Sequence, residues 1–435
     1  ASATALGALV AACGSSSSST STSTSAAASA SASSTTAGSF TPTGGTDIPA
    51  ASMSVALNPF PDNSFYVIGM RQGWFKEVGI DITPAPLGIK AVPTQSVSYL
   101  VNNKADMCPM TVGNLVTNLV QVPDLRILGF TDTFLGTYLL ISPDLKLPTL
   151  SETLKQGTPF KTAIKQVMDK TIGKRIAFDS SGQQRPFLDL IFQTLAGIKY
   201  SEVKLTVTPD THIIDLAEGG QLDFACCNSA AQVIELINDG WKQYVSISDL
   251  AGGLPKGDPA IASNLGAPGP TVTADYYSKN QETCLRFMSV TWRIIDAVNK
   301  KPSSVLGLQT PYLSSVGGAT MTSPVLEGIY KVIDPLVGFE QQSTYLSPKS
   351  PYYWKTVTGA MIAQATSGGI LPKGKTYDLN KQVLAPEIYT IMKDLKGKYE
   401  ALAPKAKGHL ATQAKTFYAN HNFLDAYRYA KEAVA

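Results

Sequence analysis

Two stretches far apart in the chain read alike, and together they restrict the fold more than any other feature. In the first, Tyr99-Leu100-Val101-Asn102-Asn103-Lys104-Ala105-Asp106 leads into the β-prone run Met107-Cys108-Pro109-Met110, and Thr111 and Asn114 open a helical run through Leu115 and Leu119. In the second, Asp215 to Asp223 leads into Phe224-Ala225-Cys226-Cys227, and Asn228-Ser229 opens a run through Val233, Leu236 and Ile237. Each has an acidic residue followed five positions later by a small polar residue at a strand-to-helix junction, Asp106 to Thr111 and Asp223 to Asn228. Two such units imply two similar α/β lobes. Ligands of open α/β sheets sit beyond the carboxyl ends of the strands, so facing lobes would line one cleft with these junctions.

A third junction supplies a ligand-holding device. Arg175-Ile176-Ala177-Phe178 reads as a strand, Asp179 to Gln184 as a polar hinge, and Phe187, Leu188, Ile191 and Leu195 fall on one face of a helix. Pro186 suits the first turn and Gly197 suits the C′ position. The first N–H groups of such a helix lack internal partners and carry partial positive charge, which suits a carboxylate, sulfonate or phosphate. Taken alone this is an ordinary βα turn; its matched partners give it weight.

Elsewhere the chain alternates strand and helix signals, which argues for βαβ units and largely parallel sheets. Strands are expected at Ser54–Leu57, Ile80–Thr83, Met107–Met110, Leu125–Phe130 and Tyr138–Ile141, then at Val203–Val207 and Asp223–Cys227. Asp249 to Thr273, rich in Gly and Pro, is a candidate hinge, and Glu282 to Asn299 an amphipathic helix. With 435 residues, 44 % of them hydrophobic, two or three domain-sized units can bury a core. A net charge of +3 provides no basic field for nucleic acid. The five cysteines and three histidines show neither CxxC nor metal-ligand spacing, and no GxSxG elbow is present, so metal and cofactor are both expected to be none.

The runs VIGMRQGWFKEVGIDITP, NNKADMCPMT, GKRIAFDSSGQQ and LAEGGQLDFACCNSAAQVIELINDGW, in this order, resemble the substrate-binding proteins of ABC importers of the nitrate/sulfonate/taurine type, which are similar to binding proteins for thiamin pyrimidine precursors. The resemblance implies an α/β, two-lobed type 2 periplasmic-binding-protein fold, each lobe a mostly parallel sheet flanked by helices, with an extra C-terminal helical segment. It implies lobe 1 over residues 52–141 plus 248–395, lobe 2 over 142–247, and a helical extension over 396–435 packed on lobe 1. Val10-Ala11-Ala12-Cys13 resembles a lipobox, so residues 1–13 read as a truncated signal peptide with Cys13 lipidated, and the Ser/Ala/Thr-rich 14–51 as a disordered tether.

The implied function is extracytoplasmic capture of a small organic solute (sulfonate, carboxylate or pyrimidine-like) by hinge closure and its delivery to ABC permease subunits, by a lipid-anchored monomer without enzymatic activity. Two alternatives stand beside it: a pyrimidine-synthase-like enzyme of the same fold, and a sensor docking on a membrane receptor. Against the enzyme, Gly266 to Tyr277 lacks the cysteine cluster of those relatives. Ligand residues carried over from the resemblance are Asn58, Phe60, Phe65, Gly88, Thr111 and Asn114 on the first lobe. Ser180, Ser181, Gln183, Gln184, Asn228 and Ser229 are those of the second, with Phe134 near the crossing; Tyr138 there reads as core, and Asp106 and Asp223 as braces of their own turns. Arg185 has two readings: pairing with an anion in the cleft, which would offset the opposing helix dipole, or pairing with Asp189 one turn on.

Overall fold

The computed structural model describes residues 40–91, 93–179, 184–227, 229–255, 258–262, 264–316 and 320–435. Its strands are β1 (Ala51–Ser54), β2 (Ala56–Leu57), β3 (Ile80–Thr83), β4 (Ile89–Lys90), β5 (Cys108–Thr111), β6 (Leu125–Ile127), β7 (Tyr138–Ile141), β8 (Arg175–Phe178), β9 (Lys204–Val207), β10 (Phe224–Cys226), β11 (Lys242–Ser246) and β12 (Pro268–Thr273). The first lobe gathers β1 with β3 and β2 with β4 as parallel pairs, and β5, β12 and β6 as an antiparallel set. A single bridge from Val55 to Met107 joins the first strands to the β5 segment. The second lobe is one five-stranded sheet in the order β11-β7-β10-β8-β9.

Burial explains the order of the second sheet. Tyr-Leu-Leu-Ile of β7 is buried throughout, as an inner strand requires, whereas Lys204–Val207 of β9 is mostly exposed and occupies an edge. This corrects the expectation that Tyr138–Ile141 closes the first lobe: the chain crosses before it. The crossing is held by a stretch of the first lobe, with Thr133 N donating to Pro335 O at 3.1 Å and Leu135 N to Ile333 O at 2.7 Å. The Gly/Pro-rich return expected as a hinge is in part regular structure, since Ile247–Gly253 is helical and Pro268–Thr273 is the inner strand β12. Gly269 permits that strand: a Cβ there would stand 1.8 Å from the carbonyl oxygen of Gly129.

The amphipathic run expected over 282–299 is the helix Gln281–Lys300, whose Leu285, Phe287, Met288, Trp292 and Ile295 are buried. The C-terminal helices Ala385–Leu402, Gly408–Ala419 and Phe423–Glu432 pack on one another, and the last packs against Gln281–Lys300. Buried ions fasten it there. The Arg286 guanidinium donates to both Asp425 oxygens at 2.9 Å, and Arg428 donates to Asp425 Oδ1 at 2.8 Å. Arg428 also donates to the carbonyls of Thr43, Gly44 and Asp47, so the expected tether is pinned well before residue 51. Among the described residues no helix is long and apolar enough to cross a membrane.

Candidate functional site

On the first lobe, the chain leaves β2 into a short loop, 58–60, that leads to the one-turn helix Pro61–Ser64. Asn58 is buried; its Nδ2 donates to Asn63 Oδ1 (3.2 Å) and Pro109 O (3.4 Å), and its Oδ1 accepts from Ser96 Oγ (3.2 Å). It therefore ties the loop to β5 and to a neighbouring helix. Phe60 is half-buried, whereas Phe65 is wholly buried and stacked on Tyr66 with ring centres 4.3 Å apart, which makes it core. Gly88 is a backbone requirement: φ is +76°, and a Cβ would stand 2.4 Å from Val55 O. Thr111 and Asn114 are the two ends of a capping box on the helix Val112–Asn118, so their polar atoms already serve each other.

On the second lobe, Ser180, Ser181, Gln183 and Asn228 lie outside the described residues, as Cys13 does. Gln184 is buried, and its Nε2 donates to Cys227 O at 3.1 Å, joining the tips of β8 and β10; its Oε1 has no partner. Ser229 caps the helix Ala230–Asn238 through its Oγ, and its N–H donates to Asp210 Oδ2 at 2.6 Å. Asp210 N–H in turn donates to Asp179 Oδ2 at 3.2 Å, so this tip carries two carboxylates. Arg185 takes the pairing reading: its Nε donates to Asp189 at 3.0 Å, and its guanidinium lies 4.3 Å from the Tyr200 ring centre.

The two look-alike junctions share a mechanical device. Asp106 accepts from Ser54 N and Oγ at 2.7 and 2.8 Å, and Asp223 accepts from Arg175 N at 2.8 Å and from its guanidinium. Each acid thus braces a neighbouring strand, not only its own turn. The Arg175 bond holds Asp223 below the usual carboxylate range.

Three acids that sequence reasoning missed converge at the crossing: Asp62 in the one-turn helix Pro61–Ser64, Asp132, and Asp334 just after the π-helical turn Ile329–Ile333. Asp132 is 0 % exposed and Asp334 1 %. Thr131 Oγ1 donates to Asp132 Oδ1 at 2.9 Å, but Asp132 Oδ2, Asp334 Oδ1 and the hydroxyl of buried Tyr66 have no partner. An unmatched buried polar group costs about 1–3 kcal/mol, so three together are unusual for a purely structural cluster. Burial, aided by mutual repulsion, pushes Asp132 and Asp334 well up; burial pushes Asp62 up to about 7. Phe134 is half-buried within the same crossing, and Tyr138 is buried as expected, its hydroxyl pushed up to about 12 by burial and by Asp334. The helix capped by Ser229 packs against Ile329–Ile333, the turn that directly precedes Asp334.

Asp62 was within reach of sequence reasoning, since it lies between Phe60 and Phe65, both among the expected ligand residues. Asp132 had a weaker signal, a charge between two threonines in an apolar stretch. Asp334 had none, because only the tertiary pairing of 131–135 with 333–337 brings it in. A separate cavity of about 450 Å³ lies beside the crossing, lined by Leu135, Ile247, Leu254, Asp258, Leu265 and Tyr352 among others.

No protein-family model matches the chain, and no curated protein matches it. Solved structures do. The periplasmic aliphatic sulphonate binding protein SsuA from Escherichia coli aligns with a TM-score of 0.52 at 11 % identity, over 76 % of this chain and 91 % of that one. This chain has the periplasmic-binding-protein fold. A putative sulfonate-binding SsuA from Methylobacillus flagellatus gives a TM-score of 0.53 at 14 % identity, over 80 % of this chain and 95 % of that one. The desulfurization enzyme DszB, in complex with biphenyl-2-sulfinic acid, gives 0.53 at 11 % identity, over 79 % and 99 %. The periplasmic-binding-protein fold thus hosts both binding proteins and an enzyme at similar likeness, and function has to be argued from the site.

Proposed function

We propose that this protein is the extracytoplasmic solute-binding component of an ABC importer, closing its two lobes on a small organic molecule and passing it to permease subunits in the membrane. The observation that carries this reading is a group of buried polar atoms without partners, on Asp132, Asp334 and Tyr66, at the crossing between the lobes, in a fold shared with sulfonate-binding proteins. Capture needs convergent polar groups and a hinge, and no bond need be made or broken. In this reading lobe 1 spans 52–141 and 248–395, modified by the placement of Tyr138–Ile141 in the second sheet; lobe 2 and the 396–435 extension complete a monomer anchored through lipidated Cys13.

The enzymatic reading keeps one argument, the likeness to DszB. The described cysteines give it no activated thiol: Cys108, Cys226, Cys227 and Cys284 are all buried, and burial pushes the Cys108 thiol up to about 12 and the others higher than usual. The test is a thermal-shift screen against small organic solutes, followed by mass spectrometry of each solute after release. A ligand at a hundredfold excess over its Kd adds about 2.7 kcal/mol of stability. A stabilising solute recovered unchanged supports capture; a solute recovered as product assigns an enzyme instead.

A further inference from the structure

We propose that the solute is a small organic cation, its charged nitrogen set against the carboxylates of Asp132 and Asp334 with Asp62 at the rim. This rests on the solute-binding reading and departs from an anionic solute. The acids come from three segments that meet only in the folded chain: the helix Pro61–Ser64, the crossing, and the stretch after Ile329–Ile333.

The orphan atoms point to the ligand. Asp132 Oδ2 and Asp334 Oδ1 are acceptors without donors, and the Tyr66 hydroxyl beside Asp132 and Asp62 is equally unpartnered, all in side chains at most 1 % exposed. An ammonium or amidinium would give the carboxylates their missing N–H donors through charge-assisted bonds. A sulfonate would bring more acceptors and more negative charge to the same place. Among the described residues no Lys, Arg or His lowers any of the three acids. Arg185, the cation at the start of the second-lobe helix, is engaged by Asp189 and Tyr200.

Two further features favour an organic cation over a bare metal ion. Among the described residues no group of acidic, His or Cys side chains is spaced to hold a metal. Phe60, two residues before Asp62 at the N-cap of Pro61–Ser64, and Phe134, two after Asp132, are half-buried aromatics, of the kind that accompany bound organic cations. The titratable groups facing the three acids are Tyr66, Tyr330 and Tyr138, besides the acids themselves; Thr131 donates to Asp132 and Asn63 to Asp62, and none of these groups brings a positive charge. Without ligand the acids retain protons, Asp62 up to about 7, and a bound cation should displace them.

The experiment is isothermal titration of the whole protein with benzamidine, benzylamine and agmatine, and with ethanesulfonate and benzenesulfonate as the anionic arm. Each is run near neutral pH in buffers of different ionisation enthalpy, so that released protons are counted. The expected result is binding of at least one cation with proton release, and affinity lower by about tenfold or more in Asp132→Asn and Asp334→Asn. Circular dichroism checks that the variants fold, and the proton count on the unaltered protein needs no variant. Sulfonate binding without cation binding overturns the cation and keeps the solute-binding reading. Binding of neither class overturns the cation assignment and counts against capture itself. A cation bound without proton release and with unchanged affinity in folded variants also overturns the assignment.

Discussion

Two buried charged clusters in this molecule are built in opposite ways. Where the C-terminal helix docks, Asp425 is 0 % exposed, Arg286 and Arg428 both donate to it, and Glu282 balances Arg286. Burial alone would raise Asp425, yet the arginines hold it below the usual carboxylate range. At the crossing, Asp132 and Asp334 are buried as deeply, but among the described residues no cation meets them and one oxygen of each remains unmatched. A closed cluster of this kind stabilises an interface within the fold. An open one is stable only with protons or a guest, and that marks it as a place where something binds.

The largest effect should come from breaking the closed cluster. Asp425→Ala leaves two buried guanidiniums without their carboxylate, and urea denaturation should show a loss of about 3–5 kcal/mol. The open cluster should respond in the opposite direction. Asp132→Asn or Asp334→Asn removes a repelling buried acid, and stability of the unliganded protein at about pH 8 should rise by on the order of 1 kcal/mol. A loss as large as that of Asp425→Ala would erase the contrast.

The pH dependences should differ in sign as well. Asp62, Asp132 and Asp334 have folded pKa values above the unfolded value of 3.8, so their stabilising contribution is full below it. That contribution declines as pH rises through the folded values, which for Asp62 means up to about 7. Asp425 is depressed, so its contribution is present above 3.8 and declines as pH falls below it. Stability measured against pH should therefore fall less steeply from about pH 4 to about pH 7 in the Asp132→Asn/Asp334→Asn double variant than in the parent. The smallest effect is expected at the surface. Arg185, 46 % exposed at its side chain, pairs with Asp189, and Arg185→Ala should cost under about 1 kcal/mol and leave solute affinity unchanged.

The architecture was legible in the sequence because it rests on local patterns. Hydrophobic period and punctuation at Ile80–Thr83, Arg175–Phe178 and Gln281–Lys300 find those elements without knowledge of their partners. The paired junctions were legible for the same reason, and Thr111 and Ser229 do stand at helix caps. Tyr138–Ile141 was misplaced because a wholly apolar strand does not show which sheet buries it. The chemistry was less legible. Asn58, Thr111 and Asn114 were chosen as polar groups at strand tips, but their hydrogen bonds go largely to the protein itself. What distinguishes Asp132 and Asp334 is a buried carboxylate oxygen without a partner on each, and that is a property of three-dimensional packing.

The most direct measurement is a crystal structure of the protein grown with the best-binding cation of the titration series. The ligand's nitrogen is expected within hydrogen-bond distance of Asp132 and Asp334, with the lobes closed over it. A ligand seated instead in the cavity beside Leu135, Ile247 and Tyr352, with the three acids untouched, would contradict it.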